Sequence, residues 1–517
     1  MKRLTDLEYL KLSKFQARIY KLKLFFCSIP HRLWALLLSI GHFFVKCGKS
    51  IKNFFVDIVT TFTSGNWAVK LSFLIFGFGN LYYGQIMRGI LFLVFEIVFI
   101  VYMFLPSGGI YWLQKGQWFQ KGATIGTVQG GMGEVNGFTV WIPGDDSVKV
   151  MLYGLLTIIF IFAFLWTWRL QVKQCRICMD IRAQGKRIKS GKDDLRSLVD
   201  DQFHKTMLAL PLGGILLFTV LPIIYMVLVA FTSYDAAHDG YANLFSWVGL
   251  DNFNELLDFG EGGLGLAFGE ILSWTLMWAF FATFSNYFLG MMVAMLINKK
   301  GIRIKKFWRT VLVMTIAIPQ FVSLLYVSKL FDSSGIIGKL LLNWGLIPQS
   351  MQAVGQFSLW DNPTTARVLL IVINIWVGIP HIMLMATGIL MNIPADLYES
   401  ARIDGAKPWQ QYTKITLPYM LFVTGPYLLT SFVSNLNNFN VIFLLSSGNP
   451  IKGTAGGASV GHTDLLITWL FKMTVNSTDS LYYMASLIGI LIFVVCAVLS
   501  LIVYNIIPST RNEEDYH

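Results

Sequence analysis

The 517 residues are 55% hydrophobic and 14% charged, with a mean hydropathy of +0.58, which excludes an ordinary water-soluble globule, about a quarter of whose residues carry charge. The net charge of +12 does not indicate nucleic-acid binding, because the Lys and Arg sit in loops between apolar runs rather than on one solvated domain. The solvent for most of this chain is a bilayer, whose hydrocarbon core of about 30 Å takes roughly 20 apolar helical residues to cross.

Residues 1–70 alternate basic and apolar side chains, and the run from Leu24 to Val45 is broken by Pro30, His31 and Arg32 and followed by Lys46, Lys49 and Lys52. This pattern predicts a basic amphipathic segment on the cytoplasmic leaflet. No small-residue cleavage pattern follows a short apolar core, so no cleavable signal peptide is expected. The apolar stretch from Leu71 to Met87 is interrupted by Gly77, Gly79, Asn80, Gly84 and Gln85 and is read as re-entrant or interfacial.

Eight apolar runs are long enough to span, at about 90–106, 150–168, 208–232, 271–297, 307–331, 365–391, 419–446 and 484–508. The first two enclose a Gly-rich loop from Ser107 to Lys149, and a basic linker, 169–207, divides this 71–168 region from a block of six spans over 208–508. Lys173, Arg176, Arg182, Lys186, Arg187, Lys189, Lys192 and Arg196 in that linker, and Lys300, Arg303, Lys305 and Lys306 after the fourth span, place both segments in the cytoplasm. The alternate loops, Ser233–Glu270 without Lys or Arg and Asp332–Thr365 with only Lys339, face outward. Charge and parity agree on cytoplasmic termini, with 509–517 as a cytoplasmic tail. The expected fold is all-α, a polytopic membrane helix bundle of about eight transmembrane helices.

Catalytic chemistry finds no support. A Walker A loop needs a Gly five residues before its Gly-Lys-Ser/Thr, and Gly48-Lys49-Ser50 has Phe43 there. Cys27, Cys47, Cys175, Cys178 and Cys496 form no outward disulfide framework. Cys175 and Cys178 are a lone CxxC without the second ligand pair a structural zinc requires, so no metal or cofactor is expected on this chain. Asp235, Asp239 and Asp251 are scattered in an outer loop. Glu96 lies mid-span with no second intramembrane acid to relay a proton, which argues for a hydrogen-bonded role over ion coupling.

The segment Met391–Met420 is polar within an apolar region. Pro394 suits a helix start, Leu397, Ala401 and the stem of Arg402 share neighbouring faces, and Gly405 supplies a stop. Pro408 begins a second helix, and Leu417-Pro418 marks the turn back into the membrane, making a helical hairpin outside the bilayer. Glu399-Ser400-Ala401, Gly405 six residues after the Glu, and Ile415 with Leu417-Pro418 resemble the EAA loop of ATP-binding-cassette importer permeases, with Ser400 in place of the usual Ala. The resemblance implies that Glu399, Ser400, Ala401, Asp404, Gly405, Ile415, Leu417 and Pro418 form a surface that docks on a separate ATPase, whose ATP and Mg drive the transport.

The six-span block resembles the maltose/maltodextrin permeases, specifically their larger subunit, through Leu221-Pro222, Ala230-Phe231-Thr232, Asp361–Arg367, Asn374–Pro380, Asn435–Phe439 and Thr463-Asp464-Leu465-Leu466. Relatives from enteric bacteria carry a large folded domain where this chain has only Ser233–Glu270. The resemblance implies a type I importer core of six helices, a second permease subunit (MalG-like), two copies of an ATP-binding subunit (MalK-like), an extracellular sugar-binding protein, and a bacterial plasma membrane.

A sugar path reads as polar residues at helical spacing, since an unpaired amide in lipid is costly. Ser431, Asn435 and Asn438 stand at i, i+4 and i+7, one helix face; Asn437 falls off it. Asn374 with Gly378 forms a second stripe, and Ser323 lies one turn beyond Pro319. The resemblance implies that Ser323, Asn374, Gly378, Ser431, Asn435 and Asn438 line a maltose-type site, with Ser434 where relatives place a ring. Helix packing is the competing role for these residues. An ion-coupled carrier would show paired repeats or several buried charges, and a membrane enzyme would show paired carboxylates or a metal cluster.

Overall fold

The computed structural model describes residues 45–506, except 47, 51, 136–137, 189, 261–262, 300, 333–334, 346–358 and 476–479. The expected amphipathic segment, 1–70, lies outside the described residues as far as residue 44, and the tail at 509–517 lies wholly outside them. Chain contacts divide the molecule into two units, Met1–Ile110 with Leu156–Leu212, and Tyr111–Leu155 with Gly213–His517.

In the first unit, helices α1 (Trp67–Leu71) and α2 (Phe78–Tyr82) precede α3 (Ile86–Phe104). The Asn66 side chain caps α1 by accepting from Val69 N, and Gly77, with φ of 73°, turns the chain into α2. Neither helix approaches the length of a span. Their loose backbone groups are satisfied by polar side chains from the long helices. Gln171 donates to Ser72 O at 2.5 Å and accepts from Gly77 N at 3.3 Å, and Glu96 Oε2 accepts from Phe76 N at 2.9 Å. Glu96 is therefore a buried acceptor for a broken backbone segment, a reason for an intramembrane acid that requires no proton traffic.

After α4 (Gly109–Lys115) and an exposed hairpin of β1 (Gly131–Val135) and β2 (Phe138–Ile142), α5 runs from Ser147 to Ala183. Its 37 residues are about 55 Å long at 1.5 Å per residue, so the basic stretch from Arg169 is a helical continuation of the span rather than a loose linker. Cys175 and Cys178 are buried on it, not joined as a disulfide, with Ser72 Oγ 3.6 Å from Cys175 Sγ and Gln85 Oε1 3.3 Å from Cys178 Sγ. A capping box of Ser190 and Asp193 starts α6 (Gly191–Val199).

Helix α7 (Phe203–Val229) contains a π-turn at Leu216–Val220, just before Leu221-Pro222. A proline cannot donate an N–H and its ring crowds the carbonyl four residues back, so a widened turn lets the helix continue. In the second unit, α8 (Asp251–Leu256) leads to α9 (Leu264–Asn298), the central post. Apolar driving force between helices is absent in lipid, and close packing takes its place. Gly290 of α9 lets Ile382 approach so closely that a Cβ would sit 2.5 Å from it. Two clusters wrap α9, one around Trp274, Trp278, Leu324, Trp360 and Leu370, the other around Tyr287, Met291, Ile382, Met383 and Met420.

The fifth span is broken. Helices α10 (Lys305–Ala317) and α11 (Gln320–Leu330) meet at 92° around Pro319. Helices α12 (Ile336–Asn343), α13 (Pro363–Leu390), α14 (Ala395–Ile403) and α15 (Pro408–Leu436) follow. The seventh span, expected to reach residue 446, ends at Leu436, and α16 (Phe439–Leu445) is a separate helix. A second hairpin, β3 (Ile451–Ala455) and β4 (Ala458–Gly461), precedes α17 (Leu466–Val475) and α18 (Tyr482–Ile506). Among the described residues seven helices are long and apolar enough to cross a membrane, or eight with the bent pair, matching the expected polytopic bundle. Below the second hairpin lies a buried ion pair: Asp464 Oδ2 is 2.7 Å from Lys472 Nζ and accepts from Gly461 N at 2.7 Å, while Asp464 Oδ1 accepts from Thr468 Oγ1 at 3.0 Å.

Candidate functional site

Two constellations in the second unit carry the residues singled out from the sequence. The first is the turn between α13 and α15. Pro394 stands at the cap position of α14, which buries none of its residues. Gly405 ends the helix with φ of +72°, and Ala406 N donates back to Ala401 O at 2.8 Å while Gly405 N donates to Arg402 O at 3.0 Å. This is a left-handed helix stop, for which glycine carries the least strain. Glu399, Ser400, Asp404 and Gly405 are exposed and Ala401 is half-buried. Beside them Ile403 and Trp409 are 87% and 71% exposed, an apolar surface beyond the residues singled out from the sequence.

The reversal lies at residues 404–407, not at Leu417-Pro418. Pro408 occupies the first turn of α15, and a π-turn at Tyr412–Thr416 absorbs Pro418 as the earlier one absorbs Pro222. Ile415, Leu417 and Pro418 are thus the first turns of one long helix. Tyr398 Oη and Thr416 Oγ1, 2.9 Å apart, tie α14 to that helix, and Gln411 Nε2 donates to Ala406 O at 3.1 Å.

The second constellation is a polar seam along α9, α13 and α15. Asn435 Nδ2 donates to Thr283 Oγ1 of α9 at 3.0 Å, and Ser431, one turn earlier, hydrogen-bonds Tyr427. Asn438 does not continue that helix face. The backbone leaves the helix at Asn437, and Asn438 caps α16, accepting from Val441 N at 3.3 Å and donating to Asn435 Oδ1 at 3.2 Å. Asn favours caps because its short amide competes with the helix's own hydrogen bonds. The cluster persists in space, built by a break rather than a stripe. Asn437 is exposed and donates Nδ2 to Val433 O at 3.3 Å.

On α13, Asn374 is buried, and its Nδ2 has no partner among the described residues; neither has the buried Oδ1 of Asn286 on α9. Gly378 is where α9 approaches, since a Cβ there would lie 2.3 Å from Asn286 Nδ2. Gly378 therefore makes room for an amide, and Asn286 is the seam residue that the sequence reading overlooked. The signal was the same as for Asn374, an amide inside an apolar run. Ser323 lies apart from these amides, in a cavity of about 240 Å³ at the 92° break, beside Gln320, Trp376 and His381. Two unpaired buried amide atoms cost about 1–3 kcal/mol each unless something binds them.

Residues 286–512 match the family of binding-protein-dependent transport system inner membrane components. The maltodextrin transport system permease protein MalC of Streptococcus pneumoniae is 30% identical over 449 residues, 83% of this chain and 93% of that one. This chain belongs to that permease family. The galactooligosaccharides transport system permease protein GanP of Bacillus subtilis is 31% identical over 355 residues, 68% of this chain and 81% of the relative. The maltodextrin permease MdxF of the same organism is 32% identical over 383 residues, covering 72% and 85%. The permease is accordingly a multi-pass, non-catalytic subunit of the inner membrane, and the family match takes in the turn after α14 and every seam residue except Thr283.

Proposed function

We propose that this permease carries maltose or maltodextrin across the plasma membrane as one half of the membrane pore of an ATP-binding-cassette importer. The observation that carries the substrate class is the unsatisfied pair of buried amide atoms on Asn374 and Asn286, the latter one turn along α9 from Thr283, which Asn435 reaches. Amides and hydroxyls without net charge suit a neutral polyol, and the permease's likeness to maltodextrin permeases supports that reading. Ser323, Asn374, Gly378, Ser431, Asn435 and Asn438 are the proposed sugar residues.

Power enters at Glu399, Ser400, Ala401, Asp404 and Gly405, which face the cytoplasm and dock on one of two ATP-binding subunits. The Tyr398–Thr416 hydrogen bond passes the movement of α14 to α15, and from Thr416 to Asn435 that helix is a rod of about 28 Å at 1.5 Å per residue. A stroke at the ATPase thereby moves the seam directly. Ile415, Leu417 and Pro418 act as the base of the rod. A second permease subunit completes the pore and an extracellular binding protein delivers the sugar. Both termini are cytoplasmic, and the loops at 233–270 and 332–365 face outward.

A galactooligosaccharide is the second reading, favoured by the likeness to GanP. The test is uptake into vesicles holding this permease, its partner permease, the ATPases and the binding protein. Maltodextrin is expected to enter only with internal ATP, and Asn435→Leu to lower uptake at unchanged assembly. Uptake that persists without the ATPase and collapses with the proton gradient overturns the importer reading. Uptake of galactooligosaccharides alone selects the second sugar.

A further inference from the structure

A cavity of about 530 Å³ lies between the first turns of α9, the start of α13 and the β3–β4 hairpin, all within the second unit. It shares no residue with the cavity at the 92° break, and its size falls inside the range of about 300–1,000 Å³ usual for small-molecule sites. Its central group is Arg367. The Nε donates to His462 O at 2.8 Å, and the guanidinium lies over the Trp274 ring at 4.7 Å. Trp274 is fixed in turn by donating Nε1 to Thr463 O at 3.2 Å. The two terminal nitrogens of Arg367 make no hydrogen bond among the described residues, and Arg367 lines the cavity, so a rigid planar fork of donors is available there.

The rest of the lining suits a ring that is apolar on its faces and hydroxylated at its edge. Phe259, Leu266 and Met277 line it and are 59%, 52% and 48% exposed overall. Ser273 and the Glu270–Lys452 ion pair, 2.5 Å, supply hydroxyl, carboxylate and ammonium groups at the rim. Burial, Arg367 and Lys452 hold the His462 imidazole below its ordinary value, so it is neutral near pH 7 and can donate or accept. Glu270 offsets one of the two cations, and Arg367 keeps its charge and its free N–H groups, which can donate to hydroxyl oxygens of a neutral sugar.

Position links this cavity to the seam. Arg367, Asn374 and Gly378 stand at i, i+7 and i+11 on α13, within about 20° of one line, and Arg367 lies about 10 Å from Asn374 along the axis. On the proposed orientation that displacement is outward. We infer that this cavity is an outer saccharide subsite, where a neutral oligosaccharide is held by Arg367 and its apolar wall before it reaches the Asn374 and Asn435 seam. The inference rests on the sugar-permease reading given above.

The test is photo-crosslinking of the assembled importer with two probes, a diazirine-bearing maltotriose and a diazirine-bearing galactotriose, followed by peptide mapping. Labelling is expected in both 259–277 and 431–438 with at least one probe. Arg367→Gln is expected to lower labelling of 259–277 about tenfold, the worth of one charge-assisted contact, with labelling of 431–438 kept. Gly269→Leu serves as an independent variant: a Cβ there meets only Phe259 Cε1, at 4.0 Å, so the side chain fills the cavity without disturbing Arg367. The same loss is expected. Labelling of 431–438 without 259–277 overturns the subsite and leaves the sugar reading standing. Outer labelling that ignores both variants also overturns it, as does weakened association of the binding protein at unchanged labelling, which would assign the fork to an acidic side chain of that protein. Labelling of neither segment by either probe overturns both readings.

Discussion

Gly405 is the point at which the turn after α14 is most sensitive to a single atom. Its φ of +72° costs an L-residue with a Cβ about 1–2 kcal/mol. No atom lies within 4 Å of the place a Cβ would occupy, so Gly405→Ala introduces backbone strain and nothing else. Helix α14 buries none of its residues, and little packing opposes a local rearrangement of the turn. A strain of 1–2 kcal/mol is then a factor of about 5–30 in the population of the formed turn. Affinity for the ATPase is expected to fall by that factor, measured as Kd in titrations of the ATPase against the purified membrane complex, with the Tm of the complex unchanged. Gly405→Asn is expected to fall between wild type and Ala, because Asn tolerates the left-handed region. An Ala variant that binds within twofold of wild type, or an Asn variant weaker than Ala, would refute the reasoning.

Three further outcomes are expected. Glu96→Gln keeps an acceptor for Phe76 N and is expected to leave uptake and its pH profile unchanged, whereas Glu96→Leu orphans that buried N–H at about 1–3 kcal/mol; a pH profile altered by Gln would restore a proton-transfer role. Lys472→Met strands the buried Asp464 and is expected to destabilise by about 3–5 kcal/mol, with much of it recovered in the Asp464→Asn/Lys472→Met double variant, read as Tm of the purified complex. Burial alone would push the Asp145 carboxyl up, but the Lys115 ammonium at 2.5 Å and the amides of Thr127 and Val128 lower it overall, and Lys115 is raised in return. The Asp145 contribution is therefore full above its ordinary value of about 3.9 and lost as pH falls through the lower folded value, while that of Lys115 is lost only as pH rises past about 10.4. Limited proteolysis of the 107–149 segment is expected to stay flat between those limits and rise in acid, with Asp145→Asn cleaved readily at neutral pH.

Elements written in local chemistry were legible in the sequence. The span runs, the helix at 395–403, and the stop at Gly405 depend on residues within one or two turns of each other, so composition and spacing determine them. Even so, Leu417-Pro418 suggested a turn where the helix in fact continues, because a π-turn accommodates the proline. The apolar run from 419 to 446 hid its break at Asn437, since an amide in an apolar segment has the same signature whether it lines a face or caps an end.

What the sequence determined by itself, then, was a polytopic permease of helices with an exposed polar turn and an amide-bearing core. Only the tertiary structure decided which amides meet. Asn286 faces Gly378, Asn435 reaches Thr283 across 152 positions, and Arg367 is held by a carbonyl 95 residues away. Such pairs carry no spacing signal, because they are set by how closely small residues let helices approach, and that is a property of two surfaces together rather than of either segment.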